Sequence, residues 1–188
     1  YCTRCGATVG PHEADALDAP GGPSCPHCRD KRLAWDRFIR LGSYTGILRE
    51  GIHDLKFHAW RRTGRELGAE LGRAIAGRLH RAGISPADVV LVPVPTSSLR
   101  RMTRGVDHTL VIARAARAVT TIRVVRAMRR SHRPSQLDVP QSQRRANVAR
   151  SMRVRRAVPG GVRLVIVIDD VMTTGATMTA ACKALRAS

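Results

Sequence analysis

The chain has 188 residues, 43% of them hydrophobic, which is enough apolar surface for one compact domain and a small appendage. Because no apolar run is long enough to span a membrane and no secretory signal sequence is visible, we expect a cytoplasmic protein without membrane insertion. The formal net charge is +19, and all but three of the 33 basic residues are arginine, which predicts attraction to phosphates and nucleic acid. Solvated arginine-rich surfaces are the competing explanation, and an aromatic content of 3% argues against a large base-stacking platform.

Two close pairs of cysteines stand at the N-terminal end of the chain. The pattern is C-x2-C, nineteen residues, then C-x2-C, within the range typical of a four-thiolate zinc site. Each C-x2-C turn can aim two thiolates at one tetrahedral ion. Disulfides are the alternative, but neighbouring pairs of this kind in a cytosolic chain favour metal. We predict a structural Zn²⁺ module over residues 1–29, with the ligands Cys2, Cys5, Cys25 and Cys28.

Three helical patterns follow the cysteine module. The first begins at Asp30, the second covers residues 44–57, and the third covers residues 66–83. Small residues in the third pattern suit close packing against a neighbouring element. Gly83 is in the position of a helix C-cap, where a left-handed conformation favours glycine.

Strands and helices alternate in the rest of the chain. Residues 88–95 form a continuous apolar pattern that predicts a buried strand, and a helix is predicted over residues 106–119. A strand is predicted over 121–128, and "RLVIVIDD" (163–170) predicts the last strand before a helix that starts near Gly175. This alternation predicts an α/β fold, with a largely parallel sheet flanked by helices, for a domain over residues 30–188. The polar, unperiodic residues at about 129–147 predict a long loop that is either functional or disordered.

Two adjacent carboxylates, Asp169 and Asp170, follow the apolar run at the end of the last predicted strand. Ligands of open parallel sheets bind at the carboxyl ends of the strands. The loop that follows leads into a helix, whose unpaired N–H groups suit a phosphate, and Gly175 allows close approach to the backbone. The carboxylates are well placed for the vicinal hydroxyls of a sugar or for Mg²⁺. The motif therefore suggests a ribose 5-phosphate; the alternative is a helix N-cap made by the aspartates after a core strand.

The stretch "VIVIDDVMTTGAT" closely resembles the signature of type I phosphoribosyltransferases, which bind 5-phosphoribosyl-1-pyrophosphate (PRPP). The wider chain resembles the competence-associated (ComF-type) phosphoribosyltransferase-like family. This resemblance includes the four cysteines, "YTGILREGIHDLKF", "VPVP", "RMTRG" and "QLD" followed by "RRANV". It implies a type I phosphoribosyltransferase-like fold with a small zinc-ribbon-like module at the N-terminal end.

The resemblance also implies roles for matching positions. Asp169 and Asp170 would hold the ribose 2- and 3-hydroxyls and stabilise positive charge that develops on the ribose. Lys56, at the end of a helix, is a further phosphate candidate. The 5-phosphate would be bound by Thr173, Thr174, Gly175, Ala176 and Thr177. The pyrophosphate would be bound by a turn that often contains a strained cis peptide, at Val94, Pro95 and Thr96, and by Arg101 and Arg104. A mobile flap would contain Arg133, Gln136, Arg144 and Arg145.

The chain departs from the family pattern at two places. Where the family usually has an aromatic–Asn pair after the Arg-Gly of the basic turn, this chain has Val106, Asp107 and His108. An aspartate there puts a negative charge beside the proposed anion site. Ala176 replaces the usual second glycine of the phosphate loop.

Two functions remain open at this stage. In the first, the protein binds Mg²⁺ and PRPP, and a nitrogen base displaces pyrophosphate; the sequence does not identify that base. In the second, the protein binds single-stranded DNA as an accessory of transformation or recombination, with PRPP as a regulatory or relic ligand. The family's association with competence implies DNA uptake or recombination proteins as partners, and it leaves open whether the chain forms a homo-oligomer.

Overall fold

The computed structural model describes residues 1–10, 25–57, 60–96, 106–130 and 152–188. The chain separates into two compact units, Tyr1–Ser43 and Tyr44–Ser188. The first unit extends beyond residue 29, where sequence patterning puts the end of the cysteine module.

The first unit is held by the cysteine turns and by the segment that follows them. Residues 31–43 form no helix, so the helix predicted from Asp30 is wrong. The segment packs against the first cysteine turn instead. The Trp35 indole N–H donates to the carbonyl oxygen of Arg4 at 2.9 Å, and the Phe38 backbone N–H donates to that of Thr3 at 2.6 Å. The Phe38 ring also lies where a Cβ on Gly6 would be, so that turn needs glycine.

The second unit begins with two helices. Helix α1 is Gly46–Phe57 and buries Ile52 and Leu55. Helix α2 is Arg61–Arg81, so it starts five residues earlier than the apolar pattern predicts. The predicted C-cap is confirmed: Gly83 has φ of 62°, its N–H donates to the His80 oxygen, and the next N–H donates to the Leu79 oxygen. No helix within the described ranges is both long and apolar enough to cross a membrane.

A stripe of glycines on α2 lets it pack closely against helix α3, which is His108–Thr120. Gly64, Gly68 and Gly72 are all buried and are spaced four residues apart. A Cβ on Gly68 would overlap the carbonyl oxygen of Ile112, which is backbone and cannot rotate away. The α2 face of this contact therefore has no room for a side chain at position 68.

We expect Gly68→Ala to destabilise the second unit by about 1 to 3 kcal/mol, because overpacking of a close contact exceeds the gain in helix propensity. Gly77→Ala on the same helix is the matched control. Its new Cβ would lie 3.7 Å from the nearest group, the flexible end of Arg81. That variant should gain about 0.5 to 1 kcal/mol. Urea unfolding of both variants measures the difference, and equal effects would contradict the packing argument.

The central sheet has three parallel strands in the order β2-β1-β5. Strand β1 is Val89–Pro93, β2 is Arg123–Val124 and β5 is Leu164–Ile168. All five residues of β1 are buried, whereas only the last residue of β5 is, because β5 lies at an edge of the sheet among the described residues. Helix α4, Ala176–Arg186, follows β5. These elements confirm an α/β fold with a parallel sheet and flanking helices.

A separate two-stranded sheet pairs β3, Met128–Arg130, with β4, Met152–Val154, in antiparallel register. The strand predicted over 121–128 is therefore wrong in its extent, since only Arg123 and Val124 join the parallel sheet. The loop predicted over 129–147 is also corrected at its start, because residues 129 and 130 belong to β3. The rest of that loop lies outside the described residues.

Candidate functional site

The carboxyl ends of β1 and β5 meet at one edge of the parallel sheet. Pro93 is in register with Ile168, and the Val94 N–H donates to the Ile168 oxygen at 2.8 Å. The chain continues from β5 into Asp169 and Asp170, and from β1 into the predicted pyrophosphate turn. The sheet thus brings two segments predicted to bind PRPP to the same edge.

Asp170 lies in a buried cluster with two nitrogen donors. Its Oδ2 is 2.8 Å from Lys56 Nζ at the end of α1 and 3.1 Å from His108 Nε2 at the start of α3. The side chains of Asp170 and His108 are 9% and 8% exposed, so both contacts are shielded from water. Burial alone would raise the pKa of Asp170, but His108 and Lys56 outweigh it and lower that pKa to about 2. The cluster therefore holds Asp170 ionised.

Asp169 is in the opposite electrostatic situation. Its Oδ1 accepts the backbone N–H of Asp170 at 2.9 Å. Burial and the neighbouring charge of Asp170 raise the pKa of Asp169 to about 7, although Lys56 opposes the shift. A carboxyl group at a strand end whose pKa is raised to near neutral pH is typical of ligand-binding and catalytic sites.

His108 is a site residue that sequence analysis missed. Its helix begins with Asp107 as the N-cap, whose Oδ1 accepts the Leu110 N–H at 3.3 Å. The hydroxyl of Thr109 lies 2.7 Å from the Val94 oxygen and 3.0 Å from Asp107 Oδ1, which ties the helix to the end of β1. The unusual residues at 107 and 108 were the one available signal. Asp107 is thus a helix cap, and His108 contacts Asp170.

The predicted phosphate loop lies between the acidic pair and α4. Gly175 precedes the helix with φ of 71°, a left-handed conformation that favours glycine. No side chain from the described part of the chain caps this helix, and Asp169 and Asp170 do not, so the alternative in which the aspartates form an N-cap is wrong. Both are instead engaged at the end of β5. The loop residues Thr173 and Thr174 are exposed, Ala176 and Thr177 are half-buried, and Gly175 is buried.

Other predicted residues are only partly accounted for. The turn Val94–Thr96 is described, and its backbone contains no cis peptide bond, nor does the remainder of the described chain. The strained bond that the resemblance implies is therefore absent from these residues. Six predicted residues lie outside the described ranges: Arg101, Arg104, Arg133, Gln136, Arg144 and Arg145.

The four cysteines of the first unit converge on one point. All four Sγ atoms lie within 4.8 Å of one another. Neighbouring Sγ atoms are 3.5 Å apart for Cys5 and Cys25, 3.7 Å for Cys25 and Cys28, and 3.9 Å for Cys2 and Cys28. A tetrahedral ion with Zn–S bonds of about 2.3 Å separates its sulfurs by about 3.8 Å. The cluster is therefore compatible with a structural zinc site.

The electrostatics of the cluster also suit a cation. Burial raises the pKa of Cys5 to about 12 and raises that of Cys28. Burial would also raise the pKa of Cys2, but backbone N–H groups outweigh it and lower that pKa to about 6. Four thiolates this close repel one another, so the set ionises fully only around a positive ion. The guanidinium of Arg4 adds positive charge, since it donates to the Cys28 carbonyl at 2.9 Å.

Two known proteins are similar to nearly the whole chain. The chain is 28% identical over 190 residues to DNA utilization protein YhgH of Salmonella typhi, a match that covers 94% of this chain and 74% of the relative. It is 25% identical over 193 residues to Competence protein F of Haemophilus influenzae, with 99% and 78% covered. These relatives confirm the resemblance to ComF-type proteins. No protein-family model and no solved structure matches the chain.

Proposed function

We propose that the protein binds PRPP with Mg²⁺ at the carboxyl edge of the parallel sheet and transfers its phosphoribosyl group to a nitrogen base. The observation that carries this proposal is the acidic pair at the end of β5, followed after five loop residues by a helix whose N-terminus has no side-chain cap among the described residues. Such a helix end offers N–H donors to the 5-phosphate, and the carboxylates suit the ribose hydroxyls.

The proposed reaction is a displacement at C1 of the ribose. The nitrogen nucleophile forms a bond to C1 while the bond from C1 to the pyrophosphate oxygen breaks, and pyrophosphate leaves. Positive charge develops on the ribose during this step. The acidic pair stabilises that charge electrostatically, which requires preorganised groups but no dedicated base. Mg²⁺ bound together with PRPP would neutralise charge on the pyrophosphate oxygens.

A thermal-shift experiment tests the site. We expect saturating Mg²⁺ and PRPP to raise the melting temperature by about 5 to 10 °C, and the combined Asp169→Ala and Asp170→Ala variant to abolish the rise. Asp88→Asn is the control, because Asp88 lies just before the amino end of β1, away from the proposed site. Its carboxylate pairs there with Arg163 at 3.8 Å. An unchanged rise in melting temperature in the double variant would contradict the assignment of the PRPP site to the acidic pair.

Turnover is tested separately by pyrophosphate release. A screen across purine, pyrimidine and nicotinate-type bases, with PRPP and Mg²⁺ present, identifies the acceptor by base-dependent release. Release without any base would indicate hydrolysis only. Binding without release would leave PRPP as a regulatory ligand.

We further propose that the cysteine cluster holds one structural Zn²⁺. The support is the agreement between the sulfur separations in this structure and those of a tetrahedral thiolate site. Four protein ligands fill the coordination sphere, so the ion would have a folding role and would take no part in transfer.

Single-stranded DNA is a second candidate ligand, favoured by the names of the two relatives and by one surface of the second unit. Phe57 and Trp60 are 60% and 58% exposed at the end of α1 and the start of α2. The first turns of α2 carry arginines and no acidic residue before Glu66. Positive side chains at the N-terminus of a helix are repelled by the positive end of the helix dipole, so this arrangement favours the binding of an anion there. An open groove at this place is lined by Trp60, Arg61, Arg62, Thr63, Arg65 and Glu66. Arg62 is partly neutralised by Glu66, at 3.0 Å.

Polarisation of a labelled single-stranded oligonucleotide tests this surface. We expect the affinity at pH 7 to fall steeply with salt, and Phe57→Ala with Trp60→Ala to weaken it about tenfold or more through lost base stacking. Ile47→Ala is the control, since Ile47 is 86% exposed on α1 and lies ten residues from Phe57. A flat response to salt, or equal affinities of the two variants, would rule out nucleic acid at this place.

A further inference from the structure

The feature that the proposed function leaves unexplained is the imidazole of His108. It is almost fully buried, and its Nε2 contacts the same carboxylate oxygen, Oδ2 of Asp170, as the ammonium of Lys56. Its other ring nitrogen, Nδ1, is buried with no hydrogen-bond partner among the described residues, and neither Nε2 nor the Lys56 ammonium is aligned on Oδ2 for a hydrogen bond, so both approaches are electrostatic contacts. The contact with Asp170 is therefore the one polar interaction that the described structure gives this ring.

Two nitrogens close to one oxygen hold a carboxylate more tightly than one nitrogen does. Lys56 has a flexible stem and a symmetrical ammonium, so it supplies charge but little direction. His108 is attached to the first turn of α3 and is buried, so its ring approaches Oδ2 from one fixed side. Nε2 must carry a proton to face an ionised carboxylate. Both nitrogens lie on the Oδ2 side of the carboxylate, which leaves Oδ1 as the oxygen that can accept from a sugar hydroxyl.

We infer that His108 is a positioning residue of the proposed PRPP site, which orients Asp170 toward the ribose through the close, buried approach of Nε2 to Oδ2. The inference rests on the proposed function, because orientation of Asp170 matters only if a ribose binds there. Its specific consequence is that His108 affects recognition of the sugar and does not affect recognition of the phosphates.

Three substitutions separate the role of the donor from the role of the ring. His108→Gln keeps an N–H donor that reaches the position of Nε2, whereas His108→Asn is polar but too short to reach it. His108→Phe fills the volume of the ring without any donor. His53→Phe is the control, because His53 is exposed on α1 and its ring stacks on Phe57 with centroids 4.6 Å apart.

The test compares the affinities of two probes, Mg²⁺–PRPP and Mg²⁺–pyrophosphate, measured by calorimetry. We expect His108→Asn and His108→Phe to weaken PRPP binding by about tenfold or more, the loss typical of a hydrogen bond to a charged group. The affinity for pyrophosphate, which has no ribose, should stay within about twofold. His108→Gln should restore most of the PRPP affinity. If His108→Phe does not fold, the comparison of the Gln and Asn variants decides.

The failures of the two proposals are distinguishable. Wild-type protein that binds no PRPP overturns the proposed function and the inference with it. Wild-type protein that binds PRPP while His108→Asn weakens both probes equally overturns the inference alone, since a merely structural role would disturb the whole edge of the sheet. Unchanged PRPP affinity in His108→Asn overturns it as well.

Discussion

Replacing Cys28 with alanine is expected to remove zinc from the purified chain and to unfold the first unit, Tyr1–Ser43. The described part of this unit contains no helix or strand, and its buried apolar residues are mainly the cysteines themselves, packed with Ala7, Val9 and Leu33. A core this small cannot offset the conformational entropy of ordering the segment. Metal binding to four thiolates provides about 10 to 16 kcal/mol in comparable small domains, so its loss should be decisive.

Two measurements check the zinc prediction. Elemental analysis should find one zinc per wild-type chain and none in Cys28→Ala. The emission of Trp35 should shift to longer wavelength on unfolding, because its indole packs in the first unit and donates to Arg4. Cys182→Ala is the matched control: Cys182 is a buried cysteine of α4 and lies outside the cluster, so this variant should keep its zinc. A zinc-free wild-type chain with native Trp35 emission would contradict the prediction.

The parts of the fold that sequence predicts well are those decided by local pattern. Three features specify their conformation within a few residues. They are the apolar run of β1, the order of strand, acidic pair and glycine at 164–175, and the glycine at position 83. The spacing of apolar residues and the residue types favoured in turns can both be recognised over such short segments. The α/β architecture follows because such elements alternate along the chain.

The failures come where distant contacts outweigh local pattern. Residues 30–43 have apolar side chains at helical spacing, but Trp35 and Phe38 bond to the first cysteine turn, so the segment stays irregular. Met128 is apolar and β-compatible, yet it pairs with Val154 in a separate sheet. Neither partner can be inferred from the residues nearby.

The site shows the same division. Its acidic pair is visible in sequence, but the group that surrounds it combines residues 56, 108 and 170, from three elements that meet only in the folded chain. Lys56 was predicted as a phosphate ligand, and the structure gives its ammonium a contact with Asp170. The two adjacent aspartates consequently differ in environment in a way that no spacing rule reveals. One is compensated by two donors, and the other has burial and a neighbouring charge against it.

This difference predicts stability effects of opposite sign at pH 8. Asp169→Asn should stabilise the second unit by an amount on the order of 1 to 3 kcal/mol, since it removes a carboxylate whose ionised form is disfavoured in the fold. The amide oxygen can still accept the Asp170 N–H. Asp170→Asn should destabilise the unit by about 2 to 3 kcal/mol, because it removes the partner of Lys56. Urea unfolding of both variants beside the wild type gives the comparison.

The pH dependence separates charge effects from packing effects. Asp169 has a pKa of about 7 in the folded chain against an ordinary value of about 4, so between these values only the unfolded wild type ionises. Wild-type stability then falls relative to Asp169→Asn as pH rises from 4 to 7, and the advantage of the variant should vanish near pH 4. Asp170 has a folded pKa of about 2, so its contribution is present above about pH 4 and is lost as pH falls toward 2. Differences that stay constant from pH 8 to pH 4 for Asp169→Asn would show that packing, not ionisation, separates the two. A carboxylate retained at such a cost to stability is what a ligand-binding edge requires, because its ionised form is stabilised only when a ligand supplies the missing donors.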